Sequence, residues 1–236
     1  MSLSGSPSDR KTVRGKPRAR PDFLNLAKGT LEHFNNIVRQ IAHSEGSIVF
    51  KEGDTAAGVY VVCDGEVKLY ATSPDSRTMI LKIARSGDVL GLSATINNLP
   101  YEVTAETLSP CNFKHIDQNL FLSFLQKHAE AGYTAALTLA KEHRQLVLGA
   151  RRLALSPSAA TRIAQILIEF ASLDDTRKPT SRFPMVLTHA ELASLVGASR
   201  ETVTRILNQF ERDGIISRAD SAVTILRRSQ LEKLAN

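Results

Sequence analysis

The chain is poor in the features that mark a membrane protein, a disulfide scaffold or an iron–sulfur centre. Its 236 residues contain no apolar run of about 18 residues, the length a spanning helix needs. The first residues lack the hydrophobic core of a secretory signal. Two cysteines, Cys63 and Cys111, are too few for a disulfide framework, which fits a reducing cytoplasm. They are also too few for a simple iron–sulfur cluster, which takes about four thiolates. Nothing spaces His or Cys for haem, and neither residue type forms a catalytic constellation. The expectation is a cytoplasmic protein that is not an enzyme, with no resident metal or cofactor and no membrane partner.

Charge is present in quantity but unevenly placed. Lys and Arg number 30 against 24 Asp and Glu, a net charge of +6. Residues 1–21 hold six basic side chains against Asp9; residues 22–150 hold 11 basic against 14 acidic; residues 151–236 hold 13 against 9. A basic C-terminal region suits attraction to phosphate, the sequence-independent part of affinity for DNA. The basic N-terminal stretch, rich in Ser, Gly and Pro, is expected to be a disordered tail over 1–24, and whether it touches DNA is left open.

The basic end carries the densest local signal. Thr188 followed three residues on by Glu191 forms the capping-box pattern, so a short helix starts near His189 with Leu192, Leu195 and Val196 on its apolar side. Gly197 follows where a sharp turn needs a left-handed residue. A second helix, Ser199–Phe210, buries Val203, Ile206, Leu207 and Phe210 and turns Arg200, Glu201, Thr204, Arg205 and Asn208 outward. Guanidinium forks match the O6 and N7 acceptors of guanine, and a carboxylate accepts from cytosine N4. Glu211-Arg-Asp-Gly214 then stops the helix, and residues 215–225 hold two β-prone runs around a polar turn, the pattern of a wing.

Gly197-Ala-Ser-Arg-Glu-Thr-Val-Thr-Arg-Ile-Leu207 resembles the DNA-binding signature of the catabolite activator (Crp/Fnr) family of bacterial transcription regulators. That resemblance implies double-stranded DNA, a second copy of the chain and RNA polymerase as partners. It also implies a palindromic operator with TGTGA-like half-sites, its bases contacted by the groups at Arg200, Glu201 and Arg205. Thr188, His189, Ser199, Thr202 and Thr204 complete the expected DNA-binding set. The competing class is a nonspecific architectural DNA binder without sensing. An enzyme or its regulatory subunit is disfavoured, because little chain is left for a catalytic domain.

From Gly46 the chain changes to short β-prone segments: 47–51, 58–63, 66–71, 78–84, 103–108 and 112–116. Turn formers such as Asp64-Gly65 and Ser86-Gly-Asp88 separate them, a pattern that predicts an antiparallel barrel or jelly roll. Ile48–Asp54, Tyr60–Glu66 and Gly87–Gly91 resemble the cyclic-nucleotide-binding-like barrel of the same family, so the resemblance covers about residues 30–235. Members that bind a cyclic nucleotide carry Gly-Glu-Leu at the start of a phosphate cassette and an arginine before a Ser/Thr-Ala pair. Here the first element is Gly91-Leu92-Ser93, and Val103 precedes Thr104-Ala105. A buried phosphate without its guanidinium partner is costly. The hydroxyl pair of the central helix is replaced by Leu148-Gly149. The effector is therefore expected to be a small molecule other than cAMP or cGMP, in a pocket drawn from Gly91, Leu92, Ser93, Val103 and Thr104. Cys111 is expected to pack, and a redox role for Cys63 stays open.

Residues 128–155 carry glycine only at Gly132 and Gly149, and their apolar positions repeat by seven. This predicts a long helix that pairs with its copy in a homodimer. The expected interface comprises Ala136, Leu139, His143, Leu146, Ala150 and Leu153, with register setting and pH sensing both open for His143. Ser156-Pro157 is expected to break that helix and cap the next, Pro157–Leu173, which leads to a linker over Asp174–Ser181. The expected fold is α+β: tail 1–24, sensor barrel 25–125, dimerisation helix 126–155 and winged helix-turn-helix 156–236.

Overall fold

A computed structural model describes residues 22–172 and 181–236. Most of the basic tail and the linker over 174–180 lie outside the described residues. The predicted tail ends too late, because Phe23, Leu24 and Leu26 are buried in the sensor core against Phe34 and Phe121. Aromatic and aliphatic surface this close to a packed cluster is removed from water, whatever the charge of the residues before it.

The sensor consists of two four-stranded antiparallel sheets. One has the order β1 (Arg39–His43), β8 (Cys111–Asp117), β3 (Gly58–Asp64), β6 (Val89–Leu90); the other has β2 (Ile48–Phe50), β7 (Thr104–Thr107), β4 (Glu66–Thr72), β5 (Thr78–Arg85). The six predicted strands are present with ends shifted by at most one residue, and β1 and β6 are additions. Val62, Val67, Ala84, Leu90 and Phe113 fill the space between the sheets. At Gly65, φ is +89°, and a Cβ would meet the Cys111 sulfur and, at 2.5 Å, the Pro110 carbonyl. The β3–β4 turn therefore passes too close to β8 for any side chain.

Helices α1 (Lys28–Ile37), α2 (Leu92–Asn97) and α3 (Gln118–Lys127) close the barrel, and α4 (Ala129–Leu155) runs from it. Ala131 and Ala135 seat the start of α4 on the sensor core. Ser156 takes an extended conformation that ends α4, as predicted. The cap of the next helix is Ser158 and not Ser156: the Ser158 Oγ accepts the Thr161 N–H at 3.1 Å. Accordingly α5 starts at Ala159 and runs to Ser172.

The C-terminal unit holds β9 (Ser181–Pro184), α6 (His189–Val196), α7 (Arg200–Arg212), the hairpin β10 (Ile216–Ala219) and β11 (Ala222–Ile225), and α8 (Arg228–Ala235). Asp220 and Ser221 join the hairpin, both at positive φ. That two-residue turn matches the right-handed twist of its strands. The third strand, β9, pairs with β11 and begins at Ser181, a residue assigned by sequence to the linker. Ile163, Leu167, Leu192, Val196, Val203 and Phe210 belong to one core.

Candidate nucleic-acid interface and sensor cavity

Helix α6 begins with the predicted capping box. The Thr188 Oγ1 accepts the Glu191 N–H at 3.2 Å, and the Glu191 Oε2 accepts the Thr188 N–H at 2.9 Å. Gly197 ends α6 in the left-handed conformation at φ +61°. Arg162 of α5 donates to the Val196 and Gly197 carbonyls at 2.6 and 3.2 Å, satisfying acceptors that a helix end leaves unpaired. The Ser199 Oγ accepts the Thr202 N–H at 3.2 Å and starts α7. Two capped helices with a fixed turn between them hold their mutual angle.

Val203, Ile206, Leu207 and Phe210 are buried, which leaves Arg200, Glu201, Thr204, Arg205, Asn208 and Arg212 lining one open face. The Glu201 carboxyl is held below the ordinary range by its own backbone N–H and the Ser199 hydroxyl. It is thus an acceptor near neutrality.

Two of the expected contact residues are spent inside the protein. The Thr204 Oγ1 lies 2.8 Å from the His189 Nδ1 and donates to the Arg200 carbonyl at 2.9 Å. The His189 Nε2 lies 3.0 Å from the Arg218 Nη1. Arginine can only donate, so Nε2 accepts and the proton sits on Nδ1, directed at Thr204. Burial lowers the His189 pKa, and the charges of Arg218 and Arg200 lower it further. Arg218 also donates to the Asn208 Oδ1 and the Glu211 Oε2, each at 2.6 Å, tying β10 to α7. Sequence reasoning missed Arg212 and Arg218. Arg212 continues the outward i, i+4 step from Asn208, a signal that was available. Arg218 becomes informative only once the hairpin folds back on α7.

A cavity of about 740 Å³ lies between the barrel, α4 and the C-terminal unit. Gly91, Leu92, Ser93 and Val103 line it, and Thr104 does not. The Thr104 Oγ1, at the first residue of β7, instead accepts the Glu52 N–H at 3.0 Å. Gly149 lines the cavity, whereas Leu148 of the same predicted pair does not.

Three of the expected dimer residues border parts of their own subunit, Leu146 while still 54% exposed. Leu139 packs against the sensor core, Leu146 lines the cavity, and the Leu153 side chain would lie 3.1 Å from a Cβ at Gly197. The outward stripe of α4 is Tyr133, Leu137, Ala140, Arg144, Val147 and Arg151, in alternating steps of four and three. Ala136, His143 and Ala150 are exposed on its flank. A seven-residue repeat finds the helix but not which seam faces outward, since every seam of a helix repeats by seven.

Cys111 is buried as expected, and burial pushes its thiol up. Burial likewise raises the half-buried Cys63 thiol, above the effect of Lys114 that lowers it. A raised thiol carries less of the reactive thiolate.

The barrel touches the C-terminal unit directly. Lys68 of β4 donates to the Glu191 Oε1 at 2.9 Å and pairs with Glu106 at the same distance. Arg85 of β5 lies 4.4 Å from the centre of the Phe170 ring and pairs with Glu66 at 2.6 Å. Ile83 and Leu108 of the barrel pack on the C-terminal core.

A β-barrel sensor joined by a long helix to a winged helix-turn-helix defines a DNA-binding regulator with a small-molecule domain. A Crp-like helix-turn-helix domain matches residues 161–234, and a cyclic nucleotide-binding domain matches residues 40–128. The chain belongs to the Crp/Fnr family of bacterial transcription regulators. It is 28% identical over 231 residues to the CRP-like protein Clp of Xanthomonas campestris pv. campestris, covering 95% of this chain and 98% of that protein. It is 29% identical over 214 residues to a CRP-like cAMP-activated global transcriptional regulator of Mycobacterium tuberculosis, covering 90% and 94%. Among solved structures, the c-di-GMP-responsive regulator CLP of Xanthomonas campestris superimposes with TM-score 0.71 at 26% identity, covering 84% of this chain and 99% of that one. FixK2 of Bradyrhizobium japonicum shares the fold at TM-score 0.76 and 19% identity, over 85% and 98%. Among the described residues, no helix is long and apolar enough to cross a membrane.

Proposed function

We propose that this regulator acts as a homodimer that reads a palindromic operator with TGTGA-like half-sites. The supporting observation is the outward face of α7, where Arg200, Glu201 and Arg205 stand together near a capped helix N-terminus. Such a helix end enters the major groove with its first residues on base edges. Thr188 and Ser199 cap their helices at exposed positions, a placement suited to phosphate contact. Thr202 lies in the first turn of α7, and Thr204 and His189 hold its orientation. The outward stripe of α4, apolar at Tyr133, Leu137, Ala140 and Val147, suits the self-complementary seam of a two-fold dimer. Val103 on the cavity wall, in the place of a phosphate-binding arginine, supports an effector other than a cyclic nucleotide. An RNA polymerase contact belongs to the same reading.

Selection from random duplex DNA with the full chain tests this. A two-fold repeat with half-site centres about one helical turn apart is expected. Binding without enrichment of any motif would show a nonspecific architectural protein and overturn the proposal.

A further inference from the structure

We propose that the cavity between barrel, α4 and reader binds an uncharged, predominantly apolar small molecule. The inference rests on reading the chain as an effector-responsive regulator and adds the chemical class of the effector. The cavity's volume of about 740 Å³ is that of a small-molecule site. Its walls come from three parts of the chain: Leu90 and Val103 from the barrel, Leu146 from α4, and Ile166, Phe170 and Leu195 from the reader. Leu81 and Leu146, both on the wall, keep 37% and 54% of their surface uncovered by protein. A ligand that covers them gains the free energy of removing apolar surface from water.

The charges on the wall argue against an anion. Lys82 is paired with Asp88 at 3.0 Å and Glu142 at 3.3 Å, Arg85 with Glu66 at 2.6 Å, and Arg152 with Glu169 at 2.6 Å. Lys141 has a partner of its own. A phosphate or carboxylate would have to displace carboxylates the chain itself supplies, and it would meet Glu102 and Asp88 on the same wall. Burial already raises the Glu142 carboxyl, against the pull of Lys82, so added negative charge there is opposed further. A neutral ligand leaves these pairs intact, and Ser93 and Gln145 on the wall offer it hydrogen-bonding groups.

The test titrates the full chain with N-phenyl-1-naphthylamine, an uncharged fluorophore that brightens in apolar surroundings, with cAMP as competitor. Saturable binding of one probe per chain is expected, undisturbed by millimolar cAMP. Val103→Arg and Leu146→Trp, which fill the cavity from opposite walls, should each weaken it at least tenfold. Lys28→Gln, at an exposed position on α1, should leave it unchanged. Absence of saturable binding, displacement by cAMP, or binding indifferent to both cavity variants overturns the inference. DNA binding is measured in parallel on the same preparations. Intact operator recognition without probe binding sinks only the ligand class, whereas loss of operator selectivity in the unaltered chain sinks the regulator reading itself.

Discussion

Glu191 performs two tasks with one carboxylate, and replacing it by glutamine separates them. Its Oε2 accepts the Thr188 N–H and hydroxyl, each at 2.9 Å, and its Oε1 accepts from Lys68 across the domain boundary, also at 2.9 Å. An amide has one acceptor oxygen and can serve only one side. Glutamine is a good capping-box residue, so Glu191→Gln keeps the cap and gives up the bond to Lys68, which retains Glu106. A hydrogen bond between charged groups is worth about 1.5–3 kcal/mol. The Lys68 and Glu191 side chains are only 15% and 20% exposed, so solvent screens the pair little. Both groups regain water when the domains part, which places the net loss near the lower end, about 1–2 kcal/mol, or roughly 5–30-fold in the docking equilibrium.

A double-mutant cycle of Glu191→Gln with Lys68→Met, followed by urea unfolding, isolates the pair term. A coupling energy below about 0.3 kcal/mol, the level at which independent sites add, would refute the reasoning. Thr188→Ala serves as control, since it weakens the cap and leaves the Lys68 bond in place. Burial alone would raise the Glu191 carboxyl, but the Thr188 groups and Lys68 outweigh it and hold it below its ordinary value. A depressed carboxylate stabilises fully above its unfolded pKa and loses that contribution as pH falls through the folded one. The coupling should therefore be intact at neutral pH and vanish below the ordinary carboxylate range.

Arg205→Ala should cost about 1–3 kcal/mol on the selected operator and relax preference at one base pair; an equal loss on scrambled DNA would reduce Arg205 to a phosphate contact. Val147→Asp should shift the chain from dimer to monomer in sedimentation, whereas Leu139→Ala, on the inward face, should lower stability and leave the dimer intact. Gly65→Ala should destabilise the sensor by at least about 1–3 kcal/mol, the cost of a strained left-handed residue, before the overlap with Cys111 and Pro110 is added; a neutral effect in thermal melts would contradict the turn geometry.

The helix-turn-helix was legible because its signals are local. A cap, a glycine turn and a buried stripe are set by residues within one or two turns of each other, as at Thr188, Gly197 and Val203. The barrel strands were legible for the same reason, since glycine turns and alternation bound them. What the sequence concealed depends on partners distant in the chain. Strand β1 exists through its pairing with β8, Arg39 opposite His115, and the two-residue β6 through its pairing with β3. Thr104 was assigned to the pocket by its neighbour Val103, but its hydroxyl is taken by the Glu52 N–H, a partner 52 residues away in the chain. Leu139 and Leu153 were placed on the dimer seam by period alone, and only the position of the barrel and the C-terminal unit decides which side of α4 they pack on.

The contacts of α6 explain how a ligand beside the barrel can reach a helix that reads DNA. Both ends of α6 are held from outside its own domain, Glu191 by Lys68 of β4 and Gly197 against Leu153 of α4. Leu195, in its last turn, lines the cavity. Leu192, Ala193 and Val196 share a core with Val203, Ile206 and Leu207, and close-packed interiors move as units. A displacement of α6 would therefore tend to carry α7 with it. A ligand biases this placement only by the difference in its contacts between two placements. Leu195, Ile166 and Phe170 supply that difference because they belong to the reader, while the opposite wall belongs to the sensor. Such coupling would require no path through the wing, whose Arg218 network ties β10 to α7.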